Sequence, residues 1–219
     1  MTGSQFGGEH MATVEENKTE KRSKLMEAAH SLFTSGSALK PPTIDEVVKM
    51  AGVAKGTFYL YFKDKYDLRN KLISHKSSEL FQSAHDALLD SDITDFEDSI
   101  IFIINHIIDD LERNQSLLTF ISKNLSWGIF KNALITPAEN DIDFHDVYVK
   151  MLKDSPHTFH NPEMMIFMIV ELVSSTVYSA ILYQDPVTLE ELKPYLFHTI
   201  RQIIRSHQLP ESHLIAKGN

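Results

Sequence analysis

Within nine positions the sequence places Thr57, Tyr59, Tyr61, Lys63 and Lys65, three hydroxyls and two ammonium groups. They stand in the stretch "TIDEVVKMAGVAKGTFYLYFKDK", residues 43 to 65. Hydroxyl and ammonium donors at this density suit one of two surfaces. One is a helical corner with a wet aromatic face; the other is a surface that meets phosphate oxygens. Charge along the chain bears on the choice. Residues 18–76 hold twelve Lys or Arg against six acids, whereas residues 77–219 hold nine against twenty-one, within a total net charge of −9. A basic head on an acidic body can attract a polyanion at one end and repel it from the other.

The helices that position these donors can be read locally. Thr43 and Glu46 form a Thr-x-x-Glu capping box that opens a helix running to about Met50. Gly52 supplies the turn, with small Ala51 where two helices approach and apolar Val53 at the buried corner. A short helix follows over about residues 54–61, with Phe58 and Phe62 pointing into the core and Lys55, Thr57, Tyr59 and Tyr61 left outward. The next helix starts near Asp64 and runs toward Leu89, and its N-terminal amides and dipole join Lys65 as phosphate ligands. Upstream, Leu25, Ala28, Ala29, Leu32 and Phe33 make the stripe of a first helix.

At this point the residues resemble the DNA-binding domain of TetR-type transcriptional regulators. That motif reads Gly-Val-Ser-Lys-Gly-Thr-aromatic/Leu-Tyr-x-Tyr-Phe-x-x-Lys-x-x-Leu, and "GVAKGTFYLYFKDKYDL" follows it nearly throughout. The resemblance covers about residues 20–70. It implies that Thr43, Lys55, Gly56 and Thr57 lie at the DNA surface, that Tyr59 and Tyr61 grip phosphates, and that Lys65 does so from the following helix. Two positions depart from it. Ala54 stands where Ser or Thr is usual, removing a side-chain cap, and Leu60 stands where a polar or aromatic residue is common.

The remainder continues in helical periodicity with no sustained alternation, so the expected class is all-α. Its helices are "FEDSIIFIINHIIDDLERN", "SLLTFISKNLSWGIFKNAL", "IDFHDVYVKMLKDS", "PEMMIFMIVELVSSTVYSAILYQD" behind Asn161, and "TLEELKPYLFHTIRQIIRSH". The expected domains are a disordered tail over 1–19, a helix-turn-helix DNA-binding domain over 20–66, a helical effector-binding and dimerisation domain over 67–207, and a flexible tail over 208–219. Residues 162–183 carry only Glu163 and Glu171 as charges. That stretch reads as a helix buried on several sides rather than a membrane span, since Glu171 and three hydroxyl residues lie mid-run without a basic flank. The resemblance implies a homodimer paired through the last two long helices, four across a two-fold axis.

A carboxylate within so apolar a helix is either satisfied by hydroxyls or a basic group, or lines an effector pocket. Glu171 and Tyr178 are taken as effector candidates on that second reading. Trp127, the sole tryptophan, is either core or a surface on which a ligand stacks. No metal site or cofactor is expected: His157, His160 and Glu163 fall on a loop and helix start, and Asp141, Asp143 and Asp146 lack the Gly and Glu of a calcium loop. No serine sits in a nucleophile elbow, so no enzyme is expected. With no cysteine and no early apolar run, a cytoplasmic location is expected. The implied function is a ligand-responsive regulator, a repressor that binds a palindromic operator as a homodimer and leaves it on binding a small-molecule effector. The competing reading is a helical ligand-binding or protein-interaction module without sequence-specific DNA binding.

Overall fold

A computed structural model describes residues 6–35, 41–124 and 144–210, and every regular element among them is a helix. In chain order these are α1 (Phe6–Ser35), α2 (Ile44–Ala51), α3 (Lys55–Phe58), α4 (Lys65–Leu89), α5 (Phe96–Arg113), α6 (Gln115–Asn124), α7 (Phe144–Asp154), α8 (Pro162–Leu182) and α9 (Leu189–Ser206). The chain divides into two compact units, residues 1–72 and 73–219. The division falls inside α4 rather than after residue 66, because Leu68 and Leu72 are buried near its start while Phe81, Ala84 and Leu88 form a later cluster with Ile103 of α5.

The core of the first unit contains Leu25, Ala28 and Ala29 of α1, Val47 and Val48 of α2, and Phe58 and Phe62 around α3. α1 packs on α2, and α2 on α3. The expected disordered tail over 1–19 needs correction, since α1 already begins at Phe6. Once the apolar stripe has nucleated a helix, each further residue adds a hydrogen bond at little cost, and "VEENKTEKR" is rich in Glu and Lys, which favour helix. Lys24 adds an i,i+4 ion pair to Glu20 at 2.6 Å.

In the second unit α8 packs against α9 and α6, and α5 against α6 and α9. By length and composition α8 could cross a membrane. Here Met165, Ile166, Ile169, Val177, Ala180 and Ile181 are buried in the core of this unit. Its outward face carries Met164, Met168, Glu171 and Ser175. Ion pairs tie α9 to α5: Glu97 accepts from Arg205 at 3.0 Å and Arg201 at 3.4 Å, and Lys193 meets Asp109 at 2.5 Å.

The expected flexible tail from 208 also begins later. The Leu209 amide donates to Thr158 O at 2.8 Å, the His160 amide to His207 O at 2.9 Å, and Phe159 forms an antiparallel bridge with Gln208. Phe159 stacks against Phe96 at 4.9 Å, which fixes the loop that receives the end of α9.

Candidate functional site

The first unit presents the donor surface. Thr43 Oγ1 accepts from the Glu46 amide at 3.3 Å, and Glu46 Oε2 accepts from the Thr43 amide at 2.7 Å, so the capping box that opens α2 is complete. The hydroxyl also donates to Glu46 Oε2 at 2.7 Å. Thr43 therefore offers an outside partner acceptor capacity only. Gly52 takes φ 67° and ψ 31°, the left-handed conformation that lets the turn close, and its amide reaches Lys49 O at 3.3 Å.

Ala54 occupies the N-cap of α3 without a side-chain hydrogen bond. The helix ends at Phe58 instead of running to Tyr61, although the chain keeps turning through Leu60 N to Thr57 O at 3.2 Å and Tyr61 N to Phe58 O at 3.0 Å. A missing cap and a run of aromatic residues both weaken a regular helix at this point. Phe58 and Phe62 are fully buried and in contact, with ring centroids 5.5 Å apart. They fix the backbone that leaves Tyr59 55% and Leu60 75% exposed, and Tyr61 half-buried.

Lys55 is exposed but engaged, its ammonium 2.8 Å from Asp45 of α2. Gly56 is also exposed, and a Cβ built on it would meet nothing within 4 Å. Nothing in the described chain therefore demands glycine there. Close approach by an outside partner is the reason left for a residue without a side chain.

At the start of α4 the expectation of free amides needs correction. Asp64 Oδ1 accepts from the amides of Tyr66 and Asp67, each at 2.8 Å, and Asp67 Oδ2 accepts from the Lys63 amide at 2.9 Å. The helix start has supplied its own anions, which take the place a phosphate would fill. Lys65 lies instead against Tyr66, its Nζ 5.2 Å from the ring centroid, with the Arg69 guanidinium 5.5 Å from the same ring. Tyr66 and Arg69 were missed by sequence reasoning. The signal lay in "KYDLR", an aromatic residue with cations one position before and three after it.

Residues 25–72 match the family model described as bacterial regulatory proteins, tetR family. The chain is a TetR-type regulator. Over 69 residues the TetR-type chain is 35% identical to an uncharacterised HTH-type transcriptional regulator, YhgD, of Bacillus subtilis (strain 168), a match covering 32% of this chain and 36% of that relative. The chain thus spans about a third of the length of the curated relative it matches. Two solved structures share the fold. The fatty acid degradation regulator FadR from Bacillus halodurans has a TM-score of 0.58 at 16% identity, covering 81% of this chain and 96% of that one. FadR from Bacillus subtilis in complex with stearoyl-CoA has a TM-score of 0.52 at 16% identity, with the same two coverages, 81% and 96%.

The second unit of the TetR-type chain encloses a cavity of about 170 Å³, lined by α4, α5, α6, α7 and α8. Phe81, Ile103, Ile107, Leu118, Ile169 and Val173 represent its walls, and among the described residues its polar atoms belong to Ser77, Ser78, Ser122, Ser174 and Tyr148. Tyr148 donates its hydroxyl to Pro162 O at 2.9 Å, and burial pushes its phenol well above the ordinary range. Such a wall offers apolar contact with a few hydroxyls and no described charge.

The effector candidates fare unevenly against this cavity. Glu171 is exposed on the outward face of α8 and does not line it, which corrects the expectation of a buried carboxylate. A helix with apolar residues almost all round gives no periodicity to show which side faces water. Tyr178 is half-buried and also outside the lining, with its hydroxyl 3.4 Å from that of Tyr183. Trp127 lies outside the described residues. Of the loop proposed and dismissed for metal, His160 stacks on His207 at 4.9 Å. Among the described residues no group of three His, Cys, Asp or Glu is placed to hold an ion.

One prediction concerns the donor surface. Lys65→Ala weakens binding to all DNA sequences alike and flattens the plot of log affinity against log salt by about 1, one lost phosphate contact, while Tyr59→Phe weakens binding without changing the slope. Fluorescence anisotropy across a salt series reads both quantities. Parallel plots for Lys65→Ala and the wild type would remove Lys65 from the phosphate surface.

Proposed function

We propose that this TetR-type regulator is a cytoplasmic repressor that binds a palindromic operator as a homodimer and leaves it when an apolar small molecule enters the second unit. Thr43, Lys55, Gly56, Thr57, Tyr59, Tyr61 and Lys65 are the residues assigned to DNA, joined by Tyr66 and Arg69. The single observation that carries the ligand-responsive reading is the apolar cavity. α4 supports the link, because Lys65 stands near its start and Ser77, Ser78, Leu80 and Phe81 of the same helix line the cavity. A ligand that changes how α4 packs acts on an element that continues into the DNA-reading unit.

Pairing is supported by the outward faces of the last two helices. Met164 is 52%, Met168 41% and Tyr195 76% exposed, large apolar groups that a second copy would cover. Glu171 shares the face of Met168, so its role moves from the effector to this surface. The stearoyl-CoA bound by FadR of Bacillus subtilis supports an apolar ligand for a protein of this fold.

The test is selection of binding sites from a random DNA pool, followed by anisotropy titration of the selected duplex with apolar compounds. A two-fold symmetric consensus and ligand-dependent release are expected. Selected sites without symmetry would reject the dimeric repressor, and a complex indifferent to every ligand that binds the protein would reject release.

A further inference from the structure

We propose that Ser77 anchors the polar group of an uncharged ligand whose apolar body fills the cavity of the second unit, an inference that rests on reading that cavity as the effector site. Ser77 lies on α4, faces the cavity, and has a buried Oγ without a hydrogen-bond partner in the protein. Its neighbours in the wall differ. The Tyr148 hydroxyl donates to Pro162 O at 2.9 Å, and Ser174 Oγ donates to Glu171 O at 3.3 Å. A buried hydroxyl without a partner is costly, and a ligand that supplies the missing hydrogen bond recovers that cost on binding.

The charge of the ligand follows from the same wall. Among its described residues stand no Lys, Arg, His, Asp or Glu, so a carboxylate or ammonium driven inside would lose its hydration without gaining a counter-ion. An alcohol, ketone, ester or thioester carbonyl loses far less and can pair with a single hydroxyl. Size narrows the class further. A cavity of about 170 Å³ is on the scale of an engineered apolar cavity of about 150 Å³ that stays dry and takes benzene. The ligand portion it holds is accordingly a small ring or short chain bearing one neutral hydrogen-bonding group.

Four probes of matched body separate these terms: toluene, benzyl alcohol, benzoate and benzylammonium. Calorimetric titration of the full chain is compared with Ser77→Ala, a substitution that helix propensity favours. Benzyl alcohol is expected to bind the variant about fivefold more weakly, the loss of one ordinary hydrogen bond, while toluene binds both proteins equally. Benzoate and benzylammonium are expected to bind neither at concentrations where toluene saturates. Equal weakening of toluene and benzyl alcohol, or no change in either, would overturn the anchoring role while leaving the cavity as a ligand site. Benzoate or benzylammonium binding the wild type as tightly as benzyl alcohol would overturn the uncharged class. Failure of toluene to bind the wild type would sink the cavity reading itself.

Discussion

Met168→Asp yields a folded protomer that no longer pairs and binds its operator about 100-fold more weakly, because two half-sites are then no longer held by one molecule. The expectation rests on the contrast between adjacent residues of α8. Met168 is 41% exposed and its neighbour Ile169 only 2%, so a carboxylate at 168 stays in water within the protomer, whereas one at 169 enters the core. Across a two-fold axis each substitution enters twice, and each new charge must be buried against an apolar partner face. Sedimentation should show a monomer with wild-type helicity by circular dichroism. Ile169→Asp should instead unfold. A Met168→Asp dimer with undiminished operator affinity would place the pairing surface elsewhere.

Phe58→Ala abolishes DNA binding while leaving the second unit able to take toluene. Phe58 is fully buried, with its ring centroid 5.5 Å from that of Phe62 and 5.4 Å from that of Tyr59 in an edge contact. Removing it costs about 3–5 kcal/mol, the usual range for a fully packed phenylalanine in a core. A unit of this size has about 5–15 kcal/mol of stability to lose. The short α3 has no side-chain cap to compensate, and the orientation of Tyr59 depends on the lost ring. Urea unfolding followed separately by operator anisotropy and by toluene calorimetry should show loss of the first function alone. Wild-type operator affinity for the variant would mean that the reader does not depend on this packing.

What could be read from the sequence was local. The Thr43 box, the left-handed Gly52 and the uncapped Ala54 each follow from side-chain chemistry within a few positions, and together they located the reader before any packing was known. The extent of α1 was not local, since propagation past residue 19 depends on a nucleus formed further on. Asp64 illustrates a different limit. Its position before a helix announces a cap, but the cap and a phosphate compete for the same amides, and the structure shows the carboxylate in possession. The cavity was the least legible, because Ser77 and Val177 line one space from helices a hundred positions apart. In α8 nearly continuous apolarity concealed that Glu171 faces outward.

The two capping boxes have a consequence for how this gene can drift. Thr43 with Glu46 and Thr188 with Glu191 are reciprocal pairs, each threonine hydroxyl and amide bound to the glutamate that its own oxygen caps. Losing either member strands a backbone donor, at about 1 kcal/mol, so within each pair the two positions are inherited as a unit and replaced together or not at all. Persistence of Thr43 among descendants would then record the upkeep of a helix end. Persistence of Gly56, where the described fold would accept a side chain, would record selection by the DNA.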